Sequence, residues 1–362
     1  MDFKEKKEEK SNLYIFIPLT VILLFFIILF ISSTLSERLF LIILAILILI
    51  TLAILVKQDY DSIKKNESLY IFGPLDKEER IERITNQLPL SKEKVKKWLN
   101  NFKMSEQEFA LRLLEHFRYI DKNDLRSMCK ELYVNLLEEI IIKWNDKNLK
   151  PNEIIFISIG GVAKSGEMLR YHFRLANTIP LNQFIDLFDP NINSPVNKYI
   201  VYIDDLSGSG KQFLTDIEAF KKKIKKRFQK HYKSFFTLNK FIFLPLFITK
   251  DALQLIEQEP LFNCVYLPNH LLVEKDIALS LEAGIFRENE IEQAKKLFKD
   301  YGEQLYRIGP LGFGGTGLLI AFSYNTPNNT LPVIWQKCPS HDCSSNIHWE
   351  PIFPRFESRK KN

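Results

Sequence analysis

Residues 200–212 read Ile-Val-Tyr-Ile-Asp-Asp-Leu-Ser-Gly-Ser-Gly-Lys-Gln, an unbroken apolar run that ends in two carboxylates and a turn of small residues. A strand with no polar alternation is buried on both faces, and such strands belong to parallel sheets whose crossovers cover them with helices. This one segment therefore restricts the fold to the α/β class. It also says where binding should occur, because the loops leaving the carboxyl ends of parallel strands form the ligand crevice. Asp204 and Asp205 would hold a ribose there, since a carboxylate accepts from two vicinal hydroxyls. Ser207, Gly208, Ser209 and Gly210 offer backbone N–H groups with little side-chain bulk. Lys211 and Gln212 open a helix whose positive end suits a phosphate.

Gly210-Lys211 looks like the end of a Walker-type phosphate loop, but Asp205 stands where that motif needs a glycine and Gln212 where it needs Ser or Thr. Strand-like stretches at Ile154 to Ile159, Tyr199 to Ile203, Phe241 to Ile248, Cys264 to Leu267 and Leu318 to Phe322 alternate with helical ones. That alternation predicts a parallel doubly wound sheet with right-handed crossovers. Gly160 to Gly166 follows the first of these strands and is expected at the same edge as the Asp204 turn. In it Lys164 would contact a pyrophosphate, with Ser165 and Gly166 opening the next helix toward it. A solvent-exposed lysine is the alternative.

Ahead of the sheet, Lys77 to Lys147 repeats apolar residues at three-to-four spacing, from Trp98, Phe102 and Phe109 to Leu132, Leu136 and Ile140. This predicts a helical subdomain with its aromatic side chains in the core and breaks at Pro89, Met104 to Gln107 and Asp121 to Asp124. Lys221 to Lys233 predicts a basic helix whose stripe of Ile217, Phe220, Ile224 and Phe228 is buried, with Lys222, Lys223, Lys225, Lys226 and Lys230 in solvent. Gly309 to Gly317 and Asn325 to Pro332 allow two readings. Backbone and amide groups there would meet a phosphate or a base, with Trp335 stacking on it, or they are ordinary turns.

Leu13 to Ile31 and Leu39 to Val56 are nearly pure Leu/Ile/Phe runs, each close to the ~20 residues that cross a bilayer as helix. Only Ser33 to Arg38 lies between them, so an antiparallel hairpin is expected. Lys4, Lys6, Lys7 and Lys10 before it and Lys57, Lys64 and Lys65 after it, against Arg38 alone in the turn, place both termini in the cytoplasm. The expected location is the cell inner membrane, with two spans. Neither run holds an ionisable residue, so one hairpin offers no ion pathway, whereas several copies assembled would.

The sequence thus divides into a tail (1–12), a transmembrane hairpin (13–56), a tether (57–76), a helical subdomain (77–147), an α/β domain (148–335) and a C-terminal extension (336–362). The formal charge of +6 suits an anionic membrane surface or a phosphorylated ligand and does not by itself indicate direct nucleic-acid binding. Cys129, Cys264, Cys338 and Cys343 are too scattered for a disulfide framework in a cytosolic domain. Cys338, His341, Cys343 and His348 lack the paired-knuckle spacing of a zinc site, and no metal ligands are assigned.

The acidic strand end resembles the phosphoribosyl pyrophosphate loop of type I phosphoribosyltransferases: four apolar residues, two acids, then a turn closing on Ser209-Gly210, with Lys211 resembling the lysine of the purine-salvage branch. Gly208 stands where that branch often carries an acid, and Gln212 where it carries a phosphate-binding Thr. These departures bear on turnover more than on binding. With the Trp98/Phe102 region, the Ala163-Lys164-Ser165-Gly166 loop and the segment Asn325 to Trp335, the chain after about residue 85 resembles the phosphoribosyltransferase-like domain of bacterial conflict systems, PRTase-CE. The resemblance implies a role in antiviral defence beside partner proteins of the same operon. It implies Mg²⁺ as cofactor, with phosphoribosyl pyrophosphate or a nucleotide as ligand. Two functions stay open at this point: a membrane-anchored phosphoribosyltransferase that displaces pyrophosphate at the anomeric carbon, and a non-catalytic nucleotide sensor whose hairpin disrupts the membrane.

Overall fold

The computed structural model describes residues 76–157, 165–189, 197–337 and 348–356. The two apolar runs, their tether and the orientation expected from the lysine flanks lie outside the described residues, as does Lys164. No helix among the described residues is long and apolar enough to cross a membrane.

Among the described residues three helices come first: α1 (Lys77–Gln87), α2 (Lys92–Leu99) and α3 (Gln107–Glu115). The breaks between them fall where Pro89 and the Met104–Glu106 turn interrupt the helical spacing. Ser91 caps α2, its side chain accepting the Lys94 N–H at 3.2 Å. Asp121 caps the longest helix among the described residues, α4 (Lys122–Lys143), accepting from the Asn123 and Asp124 N–H groups at 2.6 and 2.8 Å. Between α3 and α4 the expected all-helical run is broken by a strand, β1 (Arg118–Ile120).

The main sheet is parallel throughout. It contains β2 (Ile154–Ile157), β3 (Phe184–Ile185), β4 (Tyr199–Ser207), β5 (Lys240–Thr249), β6 (Phe262–Cys264) and β7 (Leu271–Leu272), in the order β3-β2-β4-β5-β6, with β7 pairing farther along β5. Helices cover both faces, as a sheet buried on both sides requires. Tyr199, Val201 and Ile203 of β4 pack with α4 and with α5 (Ser165–Ala176). Ile200 and Tyr202 pack on the other face with α6 (Lys211–Phe228), α7 (Tyr232–Leu238) and α8 (Lys250–Ile256). Of the expected α6 stripe Ile217, Phe220 and Ile224 are buried and Phe228 half-buried; the helix ends at Phe228 rather than running to Lys233, with Lys222, Lys223, Lys225 and Lys226 on its exposed face and Lys230 exposed just beyond it.

Three strands differ from expectation. β4 runs past the expected end at Ile203 to Ser207, so Asp204, Asp205 and Ser207 lie within the strand, paired along β5, and the turn begins only at Gly208. The sixth forms over Phe262–Cys264 rather than from Cys264 to Leu267; Val265 and Leu267 are buried, but beyond its end. The Leu318 to Phe322 stretch forms β8 (Ile320–Phe322), which pairs in parallel with β1 in a separate two-stranded sheet instead of joining the main one. Burial is satisfied in β6 and β8 alike; the pairing partner is set by tertiary contacts that strand propensity does not encode. A further core gathers α1 to α3, including Trp98 and Phe102, with α9 (Ile291–Leu305), residues 331–335 and Trp349, Ile352 and Phe353.

Candidate functional site

Ile157 of β2 lies opposite Tyr202 of β4, and Ser207 opposite Ile248 of β5. With all strands parallel, the carboxyl ends of β2 and β4 therefore point to the same sheet edge. Ser165 and Gly166 do open α5.

The two acids, which precede the last two residues of β4, are not equivalent. Successive strand residues face opposite sides, and Asp205 is 4% exposed whereas Asp204 is half-buried. Asp205 Oδ1 accepts the Leu206 N–H at 2.9 Å, and its Oδ2 accepts the Tyr324 hydroxyl at 3.2 Å. Asp204 Oδ1 accepts the Asp205 N–H at 3.0 Å. Tyr324 is stacked on Phe322, centroids 5.3 Å apart, and His172 of α5 stacks on Tyr324 at 5.7 Å. Burial, and then the charge of Asp205, pushes the Tyr324 phenol well above its ordinary pKa, so it stays a proton donor to that carboxylate. Burial, with Lys122 nearby, lowers the His172 pKa, and the ring is neutral at pH 7.

The turn after the acids delivers the start of α6. Gly210 adopts a φ of +70°, open to glycine at little cost, and no side chain caps the helix behind it. Ser207 is buried, Ser209 half-buried, and Lys211 and Gln212 exposed. Gln212 reaches along its own helix, Nε2 donating to Asp216 Oδ1 at 2.9 Å, and Asp216 Oδ2 accepts the Tyr202 hydroxyl at 3.4 Å. The Gly208 carbonyl accepts the buried Thr249 hydroxyl, which also caps α8.

The later glycine-rich and Asn/Pro segments sit on this turn. A Cβ on Gly208 would lie 2.0 Å from Asn329 Nδ2, and one on Gly314 2.7 Å from Ser209 Cβ. Asn329 is held in place: Nδ2 donates to the Phe313 carbonyl at 3.0 Å, and its own carbonyl accepts from the Thr316 hydroxyl and the Leu318 N–H at 2.9 and 3.0 Å. Gly208 is thus a close-approach glycine, and Asn329 fills the space a side chain at 208 would take. Trp335 does not await a stacking partner. It is 1% exposed, donates to the Thr330 carbonyl at 2.7 Å and packs edge-on against Tyr306. Arg170 is likewise engaged, by Glu167 at 2.9 Å and over the Phe184 ring.

Tyr324 and His172 are the members that motif reading missed; Asn329 lies in the stretch whose amides are expected to meet a ligand, but its amide is spent on the Gly208 turn and the Phe313 carbonyl. The available signal was position alone, a tyrosine just ahead of the Asn/Pro segment and a histidine on the helix after the first sheet loop. Among the described residues no group of three or more His, Cys, Asp or Glu side chains is placed to hold a metal ion; the Cys338 to Cys343 cluster lies outside them. Cys129 and Cys264 are free thiols pushed up to about 12 by burial, too high for a thiolate nucleophile at neutral pH.

The arrangement offers a half-buried carboxylate, a backbone turn and an uncapped helix start at one edge of a parallel sheet, a combination suited to hydroxyls on one side and an anion on the other. No curated protein and no solved structure matches the chain. The family model PRTase-CE matches residues 95–355, well over half of the length and all of the elements from the end of α2 through the Asn329 segment. The chain therefore belongs to the PRTase-CE family, and its α/β domain is phosphoribosyltransferase-like.

Proposed function

We propose that the domain binds a ribose 5-phosphate ligand, either phosphoribosyl pyrophosphate or a nucleotide, at the turn 207–212. The observation that carries this reading is the placement of Asp204 directly ahead of the Gly210 turn and the uncapped start of α6. In this reading Asp204 accepts from the ribose hydroxyls, and Asp205, fixed by Tyr324, positions the backbone from which Asp204 projects. The N–H groups of Ser209 to Gln212 and the Lys211 ammonium hold the 5′-phosphate, and Lys164, Ser165 and Gly166 meet the far phosphate. Mg²⁺ fits a site of this kind, because it takes one or two carboxylate oxygens and otherwise phosphate and water, and Asp204 is the acid with exposure to contribute one. When bound, the ion neutralises charge on the leaving pyrophosphate.

Sensing without turnover is the second reading, and one observation favours it: Asn329 excludes a side chain at position 208, where the salvage enzymes often carry an acid. In either reading the two apolar runs anchor the domain at the cytoplasmic face of the inner membrane, and the biological role is that of an antiviral effector, assembled as several copies or with operon partners. Calorimetric titration of the full chain with phosphoribosyl pyrophosphate and Mg²⁺, together with a pyrophosphate-release assay, separates the readings. Binding without release supports sensing, release abolished by Asp204→Asn supports catalysis, and no binding at millimolar ligand overturns both.

A further inference from the structure

A cavity of about 210 Å³ lies where two hydrophobic cores meet. Ala278, Ile285 and Leu319 on its wall belong to the core built on α1 to α3, whereas Leu272, Leu318 and Ile320 belong to the core under α4 and α5. A space of about 150 Å³ with apolar walls is enough to take up a benzene-sized body. Seams between packed units are also where small-molecule sites concentrate.

The polar lining is unlike the walls: His116, Arg118, Lys275 and Asp276. Arg118 carries the point. Its guanidinium carbon lies 4.8 Å from the centroid of the Phe247 ring, and that ring is backed by the buried His270 at 4.7 Å. Among the described residues the Arg118 side chain makes no hydrogen bond and no ion pair. The Arg118 side chain is exposed overall; the protein packed around its guanidinium lowers its pKa, and the charges of Asp276 and Asp124 act the other way. A guanidinium presents five donors in a planar fork that matches a carboxylate or phosphate, and stacking on an aromatic ring fixes the plane of that fork in advance. Asp276 is partly engaged, Oδ2 accepting the Val273 N–H at 2.8 Å. His116 Nδ1 faces the Arg112 carbonyl at 2.9 Å and therefore carries the proton, which leaves Nε2 for another partner.

We infer that this cavity binds a small amphipathic anion: one carboxylate or phosphate gripped by Arg118 with Lys275, on an apolar body of about one ring lodged between the two cores. None of residues 204–212 lines it, so the site is distinct from the proposed sugar-phosphate site and the inference stands whether or not that proposal does. A ligand there touches both cores at once, which gives it a means of favouring one packing of the two over another.

Benzoate and phenyl phosphate serve as probes and benzamide as the uncharged comparison, each titrated calorimetrically into the full chain and into Arg118→Gln, Lys275→Gln and Asp204→Asn variants. The expected result is binding of at least one anion with a Kd of about 1 mM or tighter, at least tenfold weaker binding of benzamide, a tenfold or greater loss in Arg118→Gln and a smaller loss in Lys275→Gln. Asp204→Asn leaves it unchanged. The tighter of the two probes identifies the anion. Arg118 and Lys275 are both exposed, so neither substitution should disturb the core, and Lys275→Gln gives an independent reading should Arg118→Gln fold poorly. Equal binding of benzoate and benzamide, no binding of either anion, or binding indifferent to both basic-residue variants would overturn the inference.

Discussion

Replacing Gly208 by alanine tests whether the glycine-rich and Asn/Pro segments really sit on the phosphate turn. The new methyl carbon would start 2.0 Å from Asn329 Nδ2, 2.5 Å from its Cγ and 3.0 Å from its Oδ1. Ordinary carbon–nitrogen contact is about 3.5 Å, near the optimum for dispersion, so the amide must retreat by about 1.5 Å. It cannot do so and keep its 3.0 Å bond to the Phe313 carbonyl. Overpacking of this kind costs about 1–3 kcal/mol, and loss of the part-buried amide hydrogen bond adds about 0.5–1.5 kcal/mol, the Phe313 carbonyl keeping its bond from the Thr316 hydroxyl at 3.1 Å. The two overlap, because the retreat relieves the clash, so the net destabilisation expected is about 2–4 kcal/mol. Urea denaturation followed by the fluorescence of the buried Trp98, Trp335 and Trp349 reads this directly. A double-mutant cycle with Asn329→Gly isolates the pair: in the Asn329→Gly background, Gly208→Ala should cost less than about 0.5 kcal/mol, the range of a substitution that meets nothing. A single-mutant cost below that figure, or an equal cost in both backgrounds, would refute the packing described for the turn.

Three further outcomes are expected. Tyr324→Phe removes the hydroxyl that donates to the buried Asp205 and should destabilise by about 1.5–3 kcal/mol, as loss of a hydrogen bond to a charged group does; denaturation measures the loss, and ligand titration should show weaker binding through Asp205 rather than through any contact of Tyr324. His270, 3% exposed, has its pKa lowered to about 4 by burial and then by Arg118. The unfolded chain therefore takes up the proton first, so stability is full above about pH 6.5 and falls by on the order of 3 kcal/mol as the pH drops toward 4; thermal melts against pH should be flatter over that window in His270→Phe. Gly210→Ala forces a residue with a Cβ into a φ of +70° against Ala252 and Leu255 at 3.2–3.3 Å, costing about 1–2 kcal/mol and, in calorimetric titration, weakening phosphate-ligand binding more than it lowers the melting temperature would explain.

What the sequence made legible was local. The strand of β4 and its turn, the buried stripe of α6, the core positions of Trp98 and Phe102 and the cap at Asp121 follow from periodicity and turn chemistry within a few residues of one another. β1 was not legible, because Arg118-Tyr119-Ile120 is too short to show alternation and follows a helix directly. The pairing of β8 with β1 joins residues about two hundred positions apart, and nothing in either segment names the other. The site divides the same way. Asp204, Asp205 and the turn form a contiguous motif, whereas Tyr324 and Asn329 enter by tertiary placement. The inequality of the two acids depends on Tyr324 and on the alternation of strand faces, so neighbouring identical residues take different positions.

The central claim is that a phosphorylated sugar meets the chain at the turn behind Asp204. Hydrogen–deuterium exchange of the full chain with and without ribose 5-phosphate and Mg²⁺ locates such contact by peptide. The account predicts slowed exchange in peptides spanning 206–214, absent in Asp204→Asn and independent of Arg118→Gln. Protection confined to other segments, or slowed exchange at 206–214 that persists undiminished in Asp204→Asn, would contradict it.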